Sequence, residues 1–523
     1  MCYPSRPMTR PRFVVFVLLV VFGLCIYLPL LSTNYDLNGM AEAAALSSGR
    51  PVDLLLPNHM LYRPLGYAVQ QAFAAAGVRT SSVLTLQVLS AIFGALGLGF
   101  AFLMLDRVIG DRAIAVWTTL ILSISWSYWT MSTDIYYLSL SAMFVAAAMA
   151  VFVQARSDAA FTACGLLAGL AILSFQANVF LLPGLAAGIV LAIPPPDTRT
   201  AIRRMVLLGG AAAAVVGTAF VSVGILVYGR ETLGDLFQWG STYTGKALPM
   251  WGSWSSGRFL TVLGTSFKSI LGMELWMYEF FHRYLEKGQV PEWIPVLGFL
   301  VTLAALIAAY RWKPVTQPGD NNRKVAWLVL LYLLYVPFFL WWDATEPRWF
   351  NISNIFLAGV VGIIASRWSS WPHFRFVLPA VFLILGCLNF AISAWPRRFA
   401  PSTPLRMAAC VADQMQENDL FLATEWNWAG YLEHLHERDV LSFLGEVART
   451  GDKTAASKSI AEAARERQRR GGNVYMIDVR TFPPEYTTWF NGQTGLTVDE
   501  LLTFKGSRAF ECVYSPFIRL DAL

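Results

Sequence analysis

Carboxylates that follow apolar stretches are the first residues in this sequence that could do chemistry. Four of them lie just beyond such stretches: Asp36, Glu42, Asp134 and Asp343. A carboxylate beside hydrocarbon is costly unless it is paired or works in a wet cavity. Because a carboxylate can take the proton of an attacking hydroxyl, these acids predict a site for general base catalysis on one face of a membrane.

The connection after the first apolar stretch also offers groups suited to a phosphorylated lipid. Arginine grips phosphate through a forked set of donors, which makes Arg63, and Arg348 in WWDATEPRWF, candidates for binding a phosphate. The neighbouring His59, Tyr62 and Tyr67 suit a donor phosphate, a sugar or a prenyl chain. For both arginines the alternative is a cation that snorkels to the membrane interface.

Other polar clusters give weaker signals. Glu279 and His282 are spaced i and i+3, which puts them on one helix face, where they could line the same cavity or contact an acceptor. The two histidines of EHLHE at 433–437 are two residues apart and cannot chelate one ion from a regular helix. The sequence therefore predicts no obligate metal or other cofactor, and it leaves a divalent metal open.

The elements that must hold these residues are membrane helices. Of 523 residues, 56% are hydrophobic and 14% are charged, against roughly 25% charged in soluble proteins, so a soluble protein is excluded. At roughly 20 apolar residues per crossing, we expect a polytopic α-helical membrane protein with about eleven transmembrane helices. The predicted spans lie near 13–31, 83–105, 113–130, 137–154, 159–174, 178–193, 205–228, 292–310, 325–342, 351–366 and 376–394.

The distribution of cations predicts the orientation of these spans. With the N-terminus inside, the cytoplasmic connections hold 15 Lys and Arg in 57 residues, and the exterior connections hold 10 in 131. Cytoplasmic loops carry such an excess, so we expect a cytoplasmic N-terminus and an uncleaved first helix. The net charge of +6 is scattered through loops, which does not suggest a nucleic-acid partner.

Two exterior connections are too long for turns. Residues 32–82 contain a helix-like stretch that ends in Gly49, followed by a Pro-marked segment, and residues 229–291 contain an apolar but interrupted segment. We expect interfacial helices in both connections. Whether 259–286 cross the membrane is left open. After Trp395 strand-like and helix-like segments alternate, so we expect a transmembrane catalytic domain over 1–394 and an extracytoplasmic α/β domain over 395–523. In that domain Cys410 and Cys512 could pair.

The loop residues resemble a known family. YDLNGMAEAAAL followed by LLPNHMLYRPLGYAV is similar to the first exterior loop of the GT-C superfamily of polyprenyl-phosphate-sugar glycosyltransferases, which includes protein O-mannosyltransferases and the lipid A aminoarabinose transferase. In that pattern Asp36 and Glu42 match two acidic residues, and Arg63 matches a basic residue that faces the phosphate. Asp134 matches the acid between spans three and four. Leu37 departs from the pattern, and Arg63 stands where the aminoarabinose branch usually has Lys.

The resemblance implies a GT-C-like enzyme of the bacterial cell envelope, in the inner membrane. It would transfer a hexose or pentose from a polyprenyl phosphate to a glycan, lipid or protein acceptor on the extracytoplasmic side. A single in-line displacement would invert the anomeric carbon. In this interpretation Asp36 is the base, Asp134 is a supporting acid, and Arg63 and Arg348 stabilise the phosphate.

Three alternatives stay open at this point. A surface-polysaccharide polymerase or ligase would use a polyprenyl diphosphate and typically has an Arg-rich exterior loop, whereas 229–291 hold six Lys and Arg in 63 residues. A flippase or transporter of lipid-linked sugars predicts repeats and charges at mid-span, but the charges here lie at the outer ends. The third alternative is a catalytically inactive scaffold. The presence of Asp36 and Arg63 argues against it.

Overall fold

The computed structural model describes residues 10–35, 37–194, 197–240, 254, 257–272, 293–312, 318–371, 373–399, 403–424, 427–450, 452–482, 484–513 and 515–521. These residues form two compact units. One unit holds the described residues of 1–32, 45–240 and 254–398, and the other holds those of 33–44 and 399–523. The predicted division into a catalytic domain and an extracytoplasmic domain at residue 394 stays a prediction.

As far as Phe399, the described residues form helices joined by turns and loops. The helices are α1 Arg10–Tyr27, α2 Leu37–Ser48, α3 Pro51–Leu54, α4 Tyr62–Ala75, α5 Ser82–Ile109, α6 Arg112–Ile124, α7 Trp126–Thr133, α8 Leu138–Gln154, α9 Asp158–Ser174, α10 Leu181–Leu191, α11 Thr198–Leu226, α12 Leu233–Gly240, α13 Arg258–Lys268, α14 Trp293–Trp312, α15 Pro318–Trp341, α16 Asn351–Trp368, α17 Phe374–Asn389 and α18 Trp395–Phe399. Short 3₁₀ turns cover Leu28–Leu30, Gln176–Phe180 and Pro347–Phe350, and a π-helical turn covers Phe390–Ala394.

Every predicted span falls on helix. Within the described ranges, seven helices are long and apolar enough to cross a membrane, or eight if the bent pair α7 and α8 counts as one span. Helices α6 and α9 and the stretch 176–191 are apolar but shorter. The polytopic helical fold is therefore confirmed, while the number of about eleven crossings stays a prediction.

Local sequence signals set the ends of the long helices. The Ser81 hydroxyl accepts the Leu84 N–H and caps the start of α5, and Gly110 ends that helix with a φ of +81°. Glycine reaches this left-handed conformation without strain. Asp111 then caps α6 by accepting the Ile114 N–H. The connection between α5 and α6 therefore consists of Gly110 and Asp111 alone, and each of them caps a helix.

One predicted span, 113–130, is broken in the structure. Ser125 is extended (φ −61°, ψ 142°) and separates α6 from α7. The N–H groups of Trp126 and Ser127 at the start of α7 donate to the carbonyls of Ile270 and Ser269, so a distant segment satisfies them. Helices α7 and α8 then meet at 119°. The break places the loop with Asp134 at the end of a short helix.

Glycines let α7 lie directly against α5. The Tyr128 hydroxyl donates to the Gly94 carbonyl over 2.9 Å. A Cβ on Gly94 would lie 2.2 Å from the Ser132 hydroxyl, and one on Gly97 would lie 2.4 Å from the Tyr128 oxygen. Small residues allow such close approach between membrane helices. This packing fixes α7, and with it the position of Asp134.

Both long connections contain helices. The predicted helix in the first is α2, which ends at Ser48 and is followed by Gly49 (φ +62°), and the turn after α4 contains Gly77 (φ +79°). In the second connection α13 is amphipathic, with Val262 buried and Phe259 exposed. The rest of that segment, from 273 to 292, lies outside the described residues, so whether it crosses the membrane stays open.

The C-terminal region is an α/β unit. Its elements are α19 Thr403–Gln414, β1 Leu420–Ala423, α20 Asn427–His436, β2 Asp439–Ser442, α21 Phe443–Thr450, α22 Lys453–Arg469, β3 Val474–Ile477, α23 Pro484–Thr494, α24 Val498–Leu501, β4 Gly506–Cys512 and β5 Ser515–Leu520. The sheet order is β2-β1-β3-β5-β4. Strand β1 pairs in parallel with β2 and β3, and β5 pairs antiparallel with β3 and β4. The predicted small α/β fold is confirmed.

A disulfide bond and a hydrophobic core hold this unit together. Cys410 of α19 is bonded to Cys512 of β4, so the pair that the sequence left open is formed. The core packs strand side chains such as Leu422 and Met476 against Ile460 of α22. Asp452 caps the start of α22, because its carboxylate accepts the Ala455 N–H.

Candidate active site

Asp134 lies at the bend between α7 and α8 and is completely buried. One carboxylate oxygen accepts the N–H of Ile135 over 2.7 Å. The other oxygen forms an ion pair with Arg397, whose side chain is 14% exposed. A buried carboxylate requires such partners. The structure therefore makes Asp134 half of a buried ion pair.

Sequence reasoning missed Arg397. Its signal is the WPRRF stretch directly after the last apolar run, which puts two arginines on the predicted outer side against the charge bias. Arg397 is 263 residues from Asp134 in the chain, so nothing in the sequence pattern names its partner. A cation at the end of a span on the side poor in cations is the pattern that could have found it.

The end of the first predicted span lies beside Asp134. Ser32 donates its main-chain N–H to the Thr133 carbonyl over 2.9 Å, and its hydroxyl donates to the Arg397 carbonyl over 3.3 Å. Gln87 of α5 donates its side-chain amide to the Ser32 carbonyl over 2.7 Å. Three distant segments are therefore joined next to the ion pair.

The start of α4 buries the predicted phosphate-binding residues. Arg63 is 6% exposed, and its guanidinium donates to the Asp53 carbonyl over 2.6 Å. The Tyr62 hydroxyl is bonded within the protein, to the Leu86 carbonyl at 3.0 Å and to the Ser90 hydroxyl at 2.8 Å. Tyr62 thus anchors α4 to α5, and its contact with a ligand stays a prediction.

A second anchor holds the loop of Arg63. The Tyr228 hydroxyl beyond α11 donates to the Val52 carbonyl over 2.6 Å, next to the Asp53 carbonyl that Arg63 contacts. Two adjacent carbonyls of the short helix α3 therefore accept hydrogen bonds, one from a tyrosine hydroxyl and one from a buried guanidinium.

His59 is a buried, uncharged group beside these residues. Burial lowers the pKa of His59 well below its usual value, and the positive charge of Arg63 lowers it further. The imidazole ring stacks on Tyr137, with 3.5 Å between ring centroids. Its Nε2 lies 3.0 Å from the Asn58 side-chain amide. His59 therefore links the loop of Arg63 to the loop of Asp134.

Arg348 reaches the same aromatic group from the other side. Its guanidinium lies 5.4 Å from the ring centroid of Tyr136, which is 4.6 Å from the ring of Tyr137. Arg348 also forms an ion pair with Glu346 of its own loop. The neighbouring Asp343 is bonded locally, since its carboxylate accepts the N–H and the hydroxyl of Thr345.

The structure thus brings three predicted positions together. The ring pair Tyr136 and Tyr137 follows Asp134 after Ile135, and it contacts His59 on one side and Arg348 on the other. The Trp349 ring continues this wall by stacking on Phe175 at 5.5 Å. Aromatic surfaces of this kind favour cations and suit the apolar faces of sugars or a prenyl chain.

The remaining predicted residues fall elsewhere. Tyr67 lies over Gly49, since a Cβ on that glycine would be 3.2 Å from the Tyr67 ring. Glu42 is buried on α2, within the unit of residues 33–44 and 399–523. Three predicted residues lie outside the described residues: Asp36, Glu279 and His282. Their roles stay predictions.

A metal site would require several His, Cys, Asp or Glu side chains close together. Within the part of the chain that the structure describes, no three His, Cys, Asp or Glu side chains come together as a ligand set. The acids described above instead have arginine, main-chain or hydroxyl partners, as Asp134 and Asp343 show. The expectation that no metal is required stays a prediction.

Known structures have the same fold. ArnT from Cupriavidus metallidurans bound to undecaprenyl phosphate matches with a TM-score of 0.58 at 13% identity, over 97% of this chain and 97% of that chain. The Archaeoglobus fulgidus oligosaccharyltransferase in the apo form matches with a TM-score of 0.54 at 13% identity, over 96% of this chain and 74% of that chain. Its complex, as AglB, with an inhibitory peptide and a dolichol-phosphate gives a TM-score of 0.50 at 12% identity, over 98% of this chain and 74% of that chain.

These similarities define the fold of the chain. ArnT and the oligosaccharyltransferase belong to the GT-C superfamily, so the fold expected from the resemblance of the first exterior loop is confirmed. No protein-family model matches this sequence, and no curated protein matches it. Identities of 12 to 13% leave the chemistry to be argued from the residues of this chain.

Proposed function

We propose that this protein is an integral membrane glycosyltransferase that transfers a sugar from a polyprenyl phosphate to an acceptor hydroxyl, with inversion. The observation that carries the proposal is the fold match over 97% of both chains with ArnT, a structure that contains undecaprenyl phosphate. The match with AglB in complex with a dolichol-phosphate supports the same class of donor. The sugar transferred is a hexose or pentose, and the acceptor is a glycan, lipid or protein.

The phosphate grip is the first part of the mechanism. The leaving polyprenyl phosphate carries about two negative charges once the sugar departs, and a buried arginine stabilises such charge better than water does. Arg63 is the candidate, because it is buried at the start of α4 and its guanidinium is oriented by the Asp53 carbonyl. Arg348 is the second candidate, and its ion pair with Glu346 would have to open or be shared.

The acids divide into two roles. Asp36, which follows the first predicted span, is the proposed base that takes the proton of the acceptor hydroxyl. Asp134 is the proposed supporting acid, because it is completely buried and forms an ion pair with Arg397. Glu42, Glu279 and His282 remain candidates from the sequence for contacts with the substrates.

The proposed orientation puts the N-terminus in the cytoplasm and the C-terminal unit outside, in the inner membrane of a bacterium. The charge asymmetry of the connections supports it. The disulfide between Cys410 and Cys512 supports it independently, because disulfides persist in extracytoplasmic, oxidising compartments and are rare in the cytosol. The acceptor would then be glycosylated on the outer side.

The first prediction concerns Arg63. Arg63→Ala should lower kcat/KM for a polyprenyl-phosphate sugar by about 30- to 1,000-fold, because one charged contact to the leaving group is worth about 2 to 4 kcal/mol. Arg63→Lys should retain part of the activity, since lysine keeps the charge without the fork. The measurement is release of polyprenyl phosphate by purified protein offered a panel of donors. The matched control is Arg79→Ala, an exposed arginine in the same connection.

If Arg63→Ala turned over the donor at the wild-type rate, Arg63 would not belong to the site. The proposed function would be refuted if the folded wild-type protein, with an acceptor mixture present, released polyprenyl phosphate from none of the donors in the panel. Turnover with polyprenyl-diphosphate sugars and none with monophosphates would identify a polymerase or ligase instead.

The second prediction concerns the base. Asp36→Asn should lower kcat by roughly 10² to 10⁴, because asparagine cannot take a proton, and donor binding should be retained. Asp134→Asn should act less on kcat, since its ion pair already opposes protonation. Pre-steady-state turnover and donor titration separate the two effects. If Asp36→Asn keeps its turnover while Asp134→Asn loses it, the two roles are reversed.

A further inference from the structure

The start of α7 lies against a segment that is distant in the chain. The N–H groups of Trp126 and Ser127 donate to the carbonyls of Ile270 and Ser269 over 3.1 and 2.8 Å. These carbonyls belong to the segment 269–272, which directly follows α13. We call this contact the α7 junction. Because a backbone N–H without a partner is costly inside an apolar bundle, the junction allows the predicted span to be broken.

Asn389 bonds both sides of the α7 junction. It is the last residue of α17 and is buried. Its side-chain amide donates to the carbonyl of Ile124, at the end of α6, over 2.7 Å and to the carbonyl of Ile270 over 2.8 Å. Its side-chain oxygen accepts the Gly272 N–H over 3.1 Å. One side chain therefore ties the broken helix to the segment 269–272 from both ends of its amide group.

Asn354 of α16 makes a second tie at the same place. It is buried, and its side-chain amide donates to the hydroxyls of Ser127 and Ser269, each over 3.0 Å. Gly272 allows the close fit, since a Cβ at that position would lie 1.9 Å from the Trp126 ring. Two buried asparagines on different helices thus hold the same two chain segments together.

The α7 junction supports both members of the buried ion pair. Asp134 directly follows α7, which begins at the junction. Arg397 lies on α18, which follows Asn389 after the π-helical turn Phe390–Ala394. Such turns occur frequently at functional sites. The chain segments that carry Asp134 and Arg397 are therefore joined at Asn389.

An unbroken helix would need none of these ties. An α-helix satisfies its own backbone groups, whereas the break at Ser125 is completed by Asn389 and by the segment 269–272. Polar side chains inside membrane proteins are costly, and they are typical of functional sites. The break creates the short helix α7, whose end presents Asp134 to Arg397.

We propose that Asn389 and Asn354 are positioning residues, which hold α7 so that Asp134 pairs with Arg397 in the arrangement that sugar transfer needs. The proposal rests on the proposed function, in which Asp134 is the supporting acid. The asparagines act through the ion pair and not on the substrates. Loosening the α7 junction should therefore slow the transfer step and leave binding of the lipid donor unchanged.

The test replaces each amide with an apolar side chain. The variants are Asn389→Leu and Asn354→Leu, each made with and without Asp134→Asn in the full-length protein. The control is Trp327→Phe, which removes another buried hydrogen bond of the same unit, from the indole to the Gly184 carbonyl over 2.9 Å. The kcat is expressed per donor-binding site, so that a loss of folded protein does not lower it.

We expect each asparagine variant to lower kcat per site about 10-fold, since a misplacement of about 1 Å can cost up to about 100-fold. The donor Kd should be unchanged, because the Tyr62 hydroxyl anchors the helix of Arg63 to α5 separately. With Asp134→Asn present, the same substitutions should lower kcat no further, because a residue that acts through Asp134 then has nothing left to position. Trp327→Phe should leave both constants unchanged.

A second measurement does not depend on activity. The coupling between Asp134 and Arg397 is obtained from the free energies of unfolding of Asp134→Asn, Arg397→Gln and the double variant. Repeating this cycle in the asparagine variants should give a smaller coupling, whereas Trp327→Phe should keep the full coupling. If Asn389→Leu does not fold, Asn354→Leu decides by the same criteria, because it removes fewer hydrogen bonds.

Two results would overturn the positioning role. The first is an unchanged kcat per site together with an unchanged coupling in the asparagine variants. The second is an equal fold-loss of kcat with and without Asp134→Asn, because the asparagines would then act on some other group. A wild-type protein that releases polyprenyl phosphate from none of the donors refutes the proposed function, and the coupling then decides by itself whether the asparagines position the ion pair.

Discussion

Removing Arg397 should destabilise the helical unit more than any surface substitution. In Arg397→Gln the carboxylate of Asp134 stays completely buried and keeps the Ile135 N–H, but it loses its ion pair with the Arg397 guanidinium. Breaking a buried ion pair by removing one partner costs about 3 to 5 kcal/mol. Because glutamine can still donate one hydrogen bond, we expect the lower part of that range, about 3 kcal/mol.

The assay is unfolding of the purified protein in mixed micelles, followed by circular dichroism. The control is Arg203→Gln, which breaks an ion pair with Asp158 in the same unit whose side chains are 67% and 42% exposed. Exposed pairs contribute at most about 1 kcal/mol. The double variant Arg397→Gln with Asp134→Asn replaces the pair with two amides, so it should recover at least half of the lost free energy of unfolding.

The reasoning fails if Arg397→Gln loses no more free energy than Arg203→Gln. It also fails if the double variant is as unstable as the sum of the two single variants, because additive effects would show that the two side chains do not interact. In either case Asp134 would need another source of stabilisation, and its role as a permanently charged supporting acid would have to be abandoned.

Two further predictions concern groups outside the membrane helices. Replacing Cys410 and Cys512 with serine should cost about 2 to 4 kcal/mol, since the bond closes a loop with a sequence separation of 102 residues; a wild-type protein with two free thiols by mass spectrometry would contradict the pairing. Burial, and then Arg63, lower the pKa of His59, so the unfolded chain binds the proton more strongly. Stability should therefore be full above the unfolded pKa of about 6.5 and fall as the pH drops from there toward the folded pKa. His59→Gln should flatten the change of unfolding midpoint between pH 7 and 5, and identical pH slopes for both proteins would refute this.

Helices could be predicted from the sequence where one signal dominates. A run of apolar residues long enough to cross hydrocarbon has few alternatives to a helix, and Gly49 marks the end of α2 because its positive φ angle favours glycine. The position of Asp343 at the end of a span predicts an acid of the site. Its hydrogen bonds to Thr345 form a local turn that the sequence DAT favours, so the turn could also be predicted from the sequence.

The broken span shows why the rest could not be predicted. Nothing in 113–130 is a strong helix breaker, and Ser125 alone does not end a membrane helix. The break is stable because Ser269 and Ile270 accept the N–H groups at the start of α7, and these acceptors lie more than 140 residues away. Likewise, the stacking of His59 on Tyr137 depends on packing between loops that are distant in sequence.

The buried ion pair also bears on which acid can act as the base. If Asp134 took the acceptor's proton, it would lose its charge and with it the ion pair with Arg397. That cost falls in the step that the enzyme must accelerate, so Asp134 is better suited to hold the site than to move a proton. The proposed base is therefore a different acid, Asp36, which the sequence puts four residues beyond Ser32, whose N–H is bonded to the Thr133 carbonyl. The chemistry of Asp134 thus argues for a different acid as the base, and the comparison of Asp36→Asn with Asp134→Asn tests that argument directly.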